Sequence, residues 1–159
     1  MIFVTIGSMF PFDRLIRAMD EWASLHPSEQ VFAQIGEGAY EPRNMPFERM
    51  LTPTRFREIY DEAGIIVAHA GMGSVISAAE IGKPIVIVPR RAAWKEHTTD
   101  HQLHTAQWLR RRPGTFVAED DSQLAAQIEA ARGTIATGER LPTTAPAAFV
   151  DRIRQCIAS

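Results

Sequence analysis

The sequence predicts an α/β fold in which helices cover both faces of a doubly wound parallel sheet. Short runs of β-branched and aromatic residues alternate with segments in which apolar residues recur every three or four positions. Glycine or proline separates most of these segments. The run at 85–88 is apolar without interruption, which is typical of a parallel strand buried on both faces.

The first part of the chain contains two strand–helix units and a long loop. Strand, helix, strand, short strand and helix are predicted in this order at 2–6, 12–23, 31–35, 47–51 and 52–64. The loop before the short strand is rich in glycine and proline. Thr52 and Pro53 predict the N-cap and first turn of the next helix, and Gly64 ends that helix.

The second part continues the alternation of strands and helices. Strands are predicted at 65–68, 85–88 and 115–118, and helices at 74–81, 99–111, 122–131 and 147–157. Gly82 ends the first of these helices, and a polar connection at 133–146 precedes the last one. The sequence contains no internal repeat, so we expect one domain over residues 1–159.

Net charge, cysteine content and the distribution of apolar residues argue against several classes of protein. A formal net charge of −2 gives no reason to expect binding to nucleic acid. Cys156 is the only cysteine, which excludes a disulfide within these residues and fits a reducing cytosol. The apolar start at 1–10 lacks the basic residues of a signal peptide. No apolar run approaches the length of about 20 residues that a membrane-spanning helix needs.

Two glycines follow the predicted strand at 65–68, in the sequence Gly71-Met72-Gly73-Ser74. Small residues and free N–H groups at the start of a helix favour an anion such as a phosphate or diphosphate. A purely structural helix start is the alternative. The dinucleotide-binding pattern fits poorly, because Ile76 stands where its third glycine belongs. The Walker pattern does not fit, because Lys83 lies beyond the helix.

A second polar cluster, at 96–108, contains three histidines. His97 and His101 have the spacing of two zinc ligands on a helix, but Asp100 replaces the glutamate of such motifs and a third ligand is missing. We therefore expect no metal. The segment is either a solvated helix start capped by Asp100 or Thr99, or a set of hydrogen-bonding groups for sugar hydroxyls, formed by Asp100, His101 and Gln102.

Four ordered motifs resemble the C-terminal, nucleotide-sugar-binding half of GT-B glycosyltransferases of family 28. They are VTIGSMFPFDRLIRAMD, QIGEG, AHAGMGSVISAAEIGKPIVIVPR and EHTTDHQLHTAQWL. The resemblance covers residues 1–132 and is greatest to the small catalytic subunits of split transferases. These include the subunit of dolichol-linked N-acetylglucosamine transfer and bacterial exopolysaccharide glucuronosyltransferase subunits. It implies a Rossmann-like single GT-B half-domain.

The resemblance also implies a role for individual residues. Residues expected at the donor diphosphate are Gly7, Ser8, Gly71, Met72, Gly73 and Ser74. His101 and Gln102 occupy positions that contact the donor sugar, with Asp100 adjacent. Ser77 stands where the family has a glutamate that binds ribose, and Glu80 follows one turn later. A serine hydroxyl can still bond to ribose, but it provides no charged bidentate acceptor.

The implied reaction is transfer of a glycosyl group from a UDP-sugar to a lipid-linked saccharide, without a metal cofactor. The acceptor-binding half would be a separate membrane-anchored subunit that recruits this chain to the cytosolic face of the membrane. A nucleotide-sugar sensor without catalytic activity and a purely structural subunit are the alternatives.

Two further assignments stay open from the sequence. His69, at the end of a strand, is either the general base or a structural hydrogen-bonding residue. Arg90 and Arg91 either pair with a carboxylate of the donor, as in UDP-glucuronate, or are solvated or contact the partner subunit.

Overall fold

The computed structural model describes residues 1–137 and 147–158, and it contains one six-stranded sheet. The strands are β1 (Ile2–Thr5), β2 (Val31–Gln34), β3 (Phe47–Glu48), β4 (Ile65–His69), β5 (Ile85–Val88) and β6 (Thr115–Val117). Every pairing is parallel, in the order β3-β2-β1-β4-β5-β6. This is the strand order of a Rossmann-like sheet, so the predicted fold class is confirmed.

Six α-helices connect or follow these strands within the described residues. They are α1 (Asp13–Leu25), α2 (Pro53–Glu62), α3 (Met72–Glu80), α4 (His101–Leu109), α5 (Leu124–Thr137) and α6 (Ala147–Ala158). Short 3-10 helices lie at Ala92–Trp94 and Asp121–Gln123. None of the helices within these described ranges is long and apolar enough to cross a membrane.

Alternating side chains of the strands form two hydrophobic cores, one on each face of the sheet. On one face, Ile2 and Val4 of β1 pack in a core that includes residues of α1 and α5. On the other face, Phe3 packs in a core with residues of α2, α3 and α4. Because successive strand residues point to opposite faces, one apolar run supplies both cores.

The strand order reverses between β1 and β4, which are hydrogen-bonded neighbours. From β1 the chain continues outward to β2, and from β4 it continues to β5 on the opposite side. Loops therefore diverge at the carboxyl ends of β1 and β4 and leave a crevice between them. The turn at Gly7 follows β1, and Gly71 follows β4.

Several predicted helix boundaries differ from the structure. Helix α3 begins at Met72, two residues early, because the extended Gly71 is its N-cap. Helix α4 begins at His101, and the side chain of Asp100 does not cap it, because its carboxylate accepts from the N–H of Ala92. Helix α5 continues to Thr137 beyond the predicted end at 131. Residues 138–146 of the predicted connection lie outside the described residues.

Candidate functional site

A cavity of about 1090 Å³ lies at the carboxyl ends of β1, β4 and the neighbouring strands. The loop after β1 forms one wall, and the facing sides of α2 and α3 form another. Predicted site residues that line it are Gly7, Ser8, His69, Gly73, Ser74, Ser77, Glu80, Arg90 and Gln102. Those that do not line it are Gly71, Met72, Arg91, Asp100 and His101. The position is that of ligand sites in doubly wound sheets.

Gly7 adopts a backbone conformation that favours glycine, with a φ of +75°. The hydroxyl oxygen of Thr5 accepts from its N–H at 3.3 Å, and the side-chain amide of Gln34 donates to its carbonyl at 3.1 Å. A Cβ atom at this position would lie 2.8 Å from Nε2 of His69. The turn is therefore held from β1 and β2 and leaves no room for a side chain.

The two glycines before and within α3 have different surroundings. A Cβ atom at Gly71 would lie 2.0 Å from Cε1 of His69, so the imidazole ring occupies that space. A Cβ atom at Gly73 would meet nothing within 4 Å, and Gly73 lines the cavity. Gly71 thus allows the close approach of His69, whereas Gly73 leaves the first turn of α3 open toward the cavity.

The first turn of α3 is fixed by a contact from α2. The hydroxyl of the buried Tyr60 donates to the carbonyl oxygen of Ser74 at 3.0 Å. Both residues line the cavity. Helix N-termini carry free N–H groups and a partial positive charge, which attract anions. The open turn at Gly73 and Ser74 therefore offers a place for a phosphate group.

His69 lies between the two glycine turns and is bonded to Gln102 of α4. Nε2 of the Gln102 amide is 3.3 Å from Nδ1 of His69, and Oε1 of the same amide accepts from the N–H of Arg90 at 3.1 Å. Burial lowers the pKa of His69 to about 4, and the positive charge of Arg90 adds to this effect. The imidazole is therefore neutral at physiological pH.

The structure corrects the expectation that Arg90 presents its guanidinium to the donor. The residue is 2% exposed. Its Nη2 atom donates to the carbonyls of Ile6 and Phe10, each at 2.8 Å, and its Nη1 atom donates to those of Pro11 and Glu96. These four bonds use all the terminal N–H groups of the guanidinium. Arg90 thus stabilises the conformation of the loop after β1 through these hydrogen bonds.

Arg91 also lies away from the cavity. Its Nη2 atom donates to the carbonyl of Glu119 at 2.8 Å, and its guanidinium packs on the ring of Trp94 at 4.7 Å. Neither arginine therefore has a free guanidinium at the cavity wall. The guanidinium of Arg90 is saturated by carbonyl groups, and that of Arg91 lies outside the cavity.

The polar cluster at 96–108 divides between loop contacts and the cavity. Asp100 bonds to the N–H of Ala92 at 2.8 Å, and the exposed His101 contacts the hydroxyl of Thr99 at 2.7 Å. His97, which the sequence did not place at the donor site, lines the cavity and packs edge-on against Phe10 at 5.1 Å. No group of three metal-ligating side chains occurs in residues 1–137 and 147–158.

Sequence reasoning also missed Gln34 and Tyr60 as parts of this site. Gln34 is 4% exposed and connects the loops after β1 and β3 through its amide, which donates to Gly7 and to Arg49 at 3.1 Å each. Its position as a polar residue at the end of a buried strand was a usable signal. Tyr60 carried no such signal, because its apolar spacing on α2 is that of an ordinary core residue.

The strand order and the cavity at its switch point define a Rossmann-like domain with a crevice in the position of a ligand site. The family described as the glycosyltransferase family 28 C-terminal domain matches residues 1–145. The chain belongs to this family, as its four sequence motifs predicted.

Two curated relatives carry the same name. The UDP-N-acetylglucosamine transferase subunit ALG13 of Homo sapiens is 30% identical over 125 residues, which are 72% of this chain and 11% of that protein. The ALG13 subunit of Yarrowia lipolytica is 29% identical over 137 residues, covering 76% of this chain and 65% of that protein. The chain therefore spans less than two thirds of the length of either relative.

Among solved structures, the NMR solution structure of ALG13 superposes with a TM-score of 0.61 at 16% sequence identity. The superposition covers 96% of this chain and 93% of that one. At this level of identity the likeness shows the fold, which is a single α/β unit of the kind present in GT-B glycosyltransferases.

Proposed function

We propose that this chain is the catalytic, donor-binding subunit of a UDP-sugar-dependent glycosyltransferase. The observation that carries the proposal is the open first turn of α3 at Gly73, which faces a cavity at the switch point of the sheet. Membership of family 28 and similarity to proteins named as UDP-N-acetylglucosamine transferase subunits support it.

In this reaction the bond between the anomeric carbon and the β-phosphate oxygen breaks, and its electron pair remains on UDP. An acceptor hydroxyl forms the new bond to the anomeric carbon and loses its proton to a base. Because charge develops on the leaving diphosphate, fixed N–H donors lower the barrier without a metal. The N–H groups at Gly73 and Ser74 fill this role, with the turn at Gly7 and Ser8 opposite.

The nucleoside and sugar extend from the diphosphate along the cavity walls. We assign the ribose to the side of α3 where Ser77 and Glu80 line the cavity. The donor sugar lies toward Gln102 and His97. Because Arg90 is saturated by carbonyl groups and Arg91 lies outside, we propose a neutral sugar such as N-acetylglucosamine rather than glucuronate.

The acceptor half of the enzyme is proposed to be another polypeptide. GT-B enzymes form their active cleft between two domains, and the described residues form a single sheet, which would supply one side of such a cleft. The relatives are named as subunits, which supports a partner. We propose a membrane-anchored partner that binds a lipid-linked saccharide and holds this chain at the cytosolic face of the membrane. The isolated chain would then bind donor weakly and transfer little sugar.

The test is calorimetric titration of the full chain with UDP, UDP-N-acetylglucosamine and UDP-glucuronate. Gly73→Val places a branched side chain in the open first turn and should weaken UDP binding at least about tenfold. Gly133→Val is the matched control, because Gly133 is also helical and a Cβ there meets nothing within 4 Å. It should leave UDP affinity unchanged.

Four outcomes would contradict parts of the proposal. Equal UDP affinity in the wild-type protein and in Gly73→Val would show that the diphosphate does not bind at this turn. Tighter binding of UDP-glucuronate than of UDP-N-acetylglucosamine would contradict the assignment of a neutral donor sugar. UDP binding without any transfer when the candidate membrane subunit is co-expressed identifies a sensor, and no UDP binding even with that subunit present identifies a structural subunit.

A further inference from the structure

We infer that Gln102 is a positioning residue that holds His69 as the Nε2-protonated tautomer, so that His69 is a hydrogen-bond donor in the cavity and not the general base. The inference deepens the proposed function, because the acceptor of that hydrogen bond would be an anionic oxygen of the donor diphosphate. A chain of three groups, each with a fixed hydrogen-bonding role, carries the inference.

The orientation of the Gln102 amide is set by the backbone. The N–H of Arg90 can only donate, and it lies 3.1 Å from Oε1 of Gln102. Gln102 is buried, with 3% of the residue exposed, so solvent competes little for this contact. Arg90 itself is anchored by the four carbonyls that its guanidinium contacts. The amide oxygen must therefore face Arg90, and the NH₂ group must face His69.

The tautomer of His69 follows from this orientation. The amide nitrogen of Gln102 lies 3.3 Å from Nδ1 of His69, and an amide NH₂ donates but does not accept. Nδ1 must accordingly carry its lone pair, which leaves the proton of the neutral ring on Nε2. Nε2 is the atom that faces Gly7, and it makes no hydrogen bond to any of the described residues.

The charges around His69 keep the ring neutral. Arg90 lies on the β5 side, and His97 and His101 belong to the loop and helix on the other. Each of these groups, when charged, disfavours an imidazolium. Protonation of Nδ1 would also place its N–H against the N–H of the Gln102 amide. Burial acts in the same direction and lowers the pKa to about 4.

A neutral ring of this kind has one donor that is free to act in the cavity. Its Nε2–H can donate to a diphosphate oxygen as negative charge develops there. A hydrogen bond at the position where charge develops stabilises the transition state more than the ground state. The ring cannot take a proton from the acceptor hydroxyl, because Nε2 is already protonated and Nδ1 is engaged by Gln102. The proton of that hydroxyl must go to another group of the assembled enzyme.

The experiment is a ¹⁵N–¹H correlation spectrum of the imidazole rings of the full chain, with His69 assigned by loss of its signals in His69→Gln. We expect protonated Nε2 and unprotonated Nδ1 throughout about pH 6 to 8. Either a proton on Nδ1 or an imidazolium at neutral pH would overturn the inference, and the wild-type protein alone decides this.

A matched pair of variants tests the part played by Gln102. In Gln102→Glu a carboxylate can accept from both Arg90 and His69, so the proton should move to Nδ1 and the pKa of His69 should rise. Gln107→Glu makes the same change at an exposed position of α4 and should leave the His69 signals unaltered. An unchanged tautomer in folded Gln102→Glu would contradict the role of Gln102.

Addition of UDP to the wild-type protein separates this inference from the proposed function. A shift of the Nε2–H resonance on binding supports donation to the diphosphate. Calorimetric binding of UDP without any such shift contradicts the role of His69 as donor but leaves the proposed function standing. Absence of UDP binding even with the candidate membrane subunit present contradicts the proposed function, but the expected tautomer in the chain itself leaves the assignment of Gln102 intact.

Discussion

The imidazole ring of His69 occupies the space that a side chain at Gly7 or Gly71 would need. Nε2 faces the first position, and Cε1 lies 2.0 Å from the place of a Cβ at the second. Gly73, only two residues further, has open space instead. Gly71 and Gly73 therefore differ in whether they tolerate a side chain, although both are glycines of the same turn.

This difference gives a prediction for two alanine variants. Gly71→Ala forces the ring of His69 to move and should lower the free energy of unfolding by about 1–3 kcal/mol. Gly73→Ala meets no atom and replaces a helical glycine, so it should leave stability unchanged or raise it by up to about 1 kcal/mol. Urea unfolding of both variants measures this. Equal losses would show that His69 does not pack against Gly71.

At the scale of elements, the loop between β5 and α4 is tied to α1 through Glu96. The carboxylate accepts from Nε of Arg14 at 2.7 Å and from the N–H of Arg91 at 2.9 Å. Arg14 also pairs with Asp121 at 2.6 Å and donates to the carbonyl of Pro89 at 3.0 Å. These contacts join α1 to the segment between β5 and α4 that carries His97, a residue that lines the cavity.

We expect Arg14→Ala to lower the free energy of unfolding by about 2 kcal/mol, because the side chains of Arg14 and Glu96 are only 15% and 11% exposed. Arg55→Ala is the control, since its pairs with Glu48 and Glu58 lie on the surface. That variant should lose less than about 1 kcal/mol. Urea unfolding checks both values, and a loss in Arg14→Ala no larger than the control would refute the role of the Glu96 contacts.

At the scale of the whole molecule, buried ionisable groups make stability depend on pH. His69 has a folded pKa of about 4 against an ordinary value of 6.5. The unfolded chain therefore binds a proton between these values that the folded chain does not, and stability falls as the pH drops through this window. Asp20 acts at lower pH. Burial opposes its ionisation, but hydrogen bonds from Tyr40, Asn44 and Arg43 outweigh this and lower its pKa.

The expected result is a loss of unfolding free energy between about pH 6.5 and 4, at no more than about 1.4 kcal/mol per pH unit from His69. His69→Gln should show a shallower fall over this window, whereas the exposed His104→Gln should keep the wild-type slope. Further loss below pH 3.8, from protonation of Asp20, should persist in both variants. Urea midpoints across the pH range test this, and an unchanged slope in His69→Gln would contradict the neutral state of His69.

The sequence by itself determined the fold class, the order of strands and helices, and the family. These follow from local patterns, since strand and helix periodicity and glycine or proline boundaries are written in consecutive residues. The strand at 85–88 was predicted with the bounds that the structure has. The open glycine turn at the start of α3 was also predictable, because two glycines at a strand–helix junction form a local signal.

Only the tertiary structure decided what the individual site residues do. Arg90 stands at a strand end, but three of the four carbonyls that saturate its guanidinium belong to the loop after β1, some 80 positions away in the chain. The pairing of His69 with Gln102, 33 residues apart, likewise depends on how α4 packs against the sheet. Hydrogen-bond saturation, burial and proton position arise from contacts between distant segments, and local sequence patterns carry no information about those contacts.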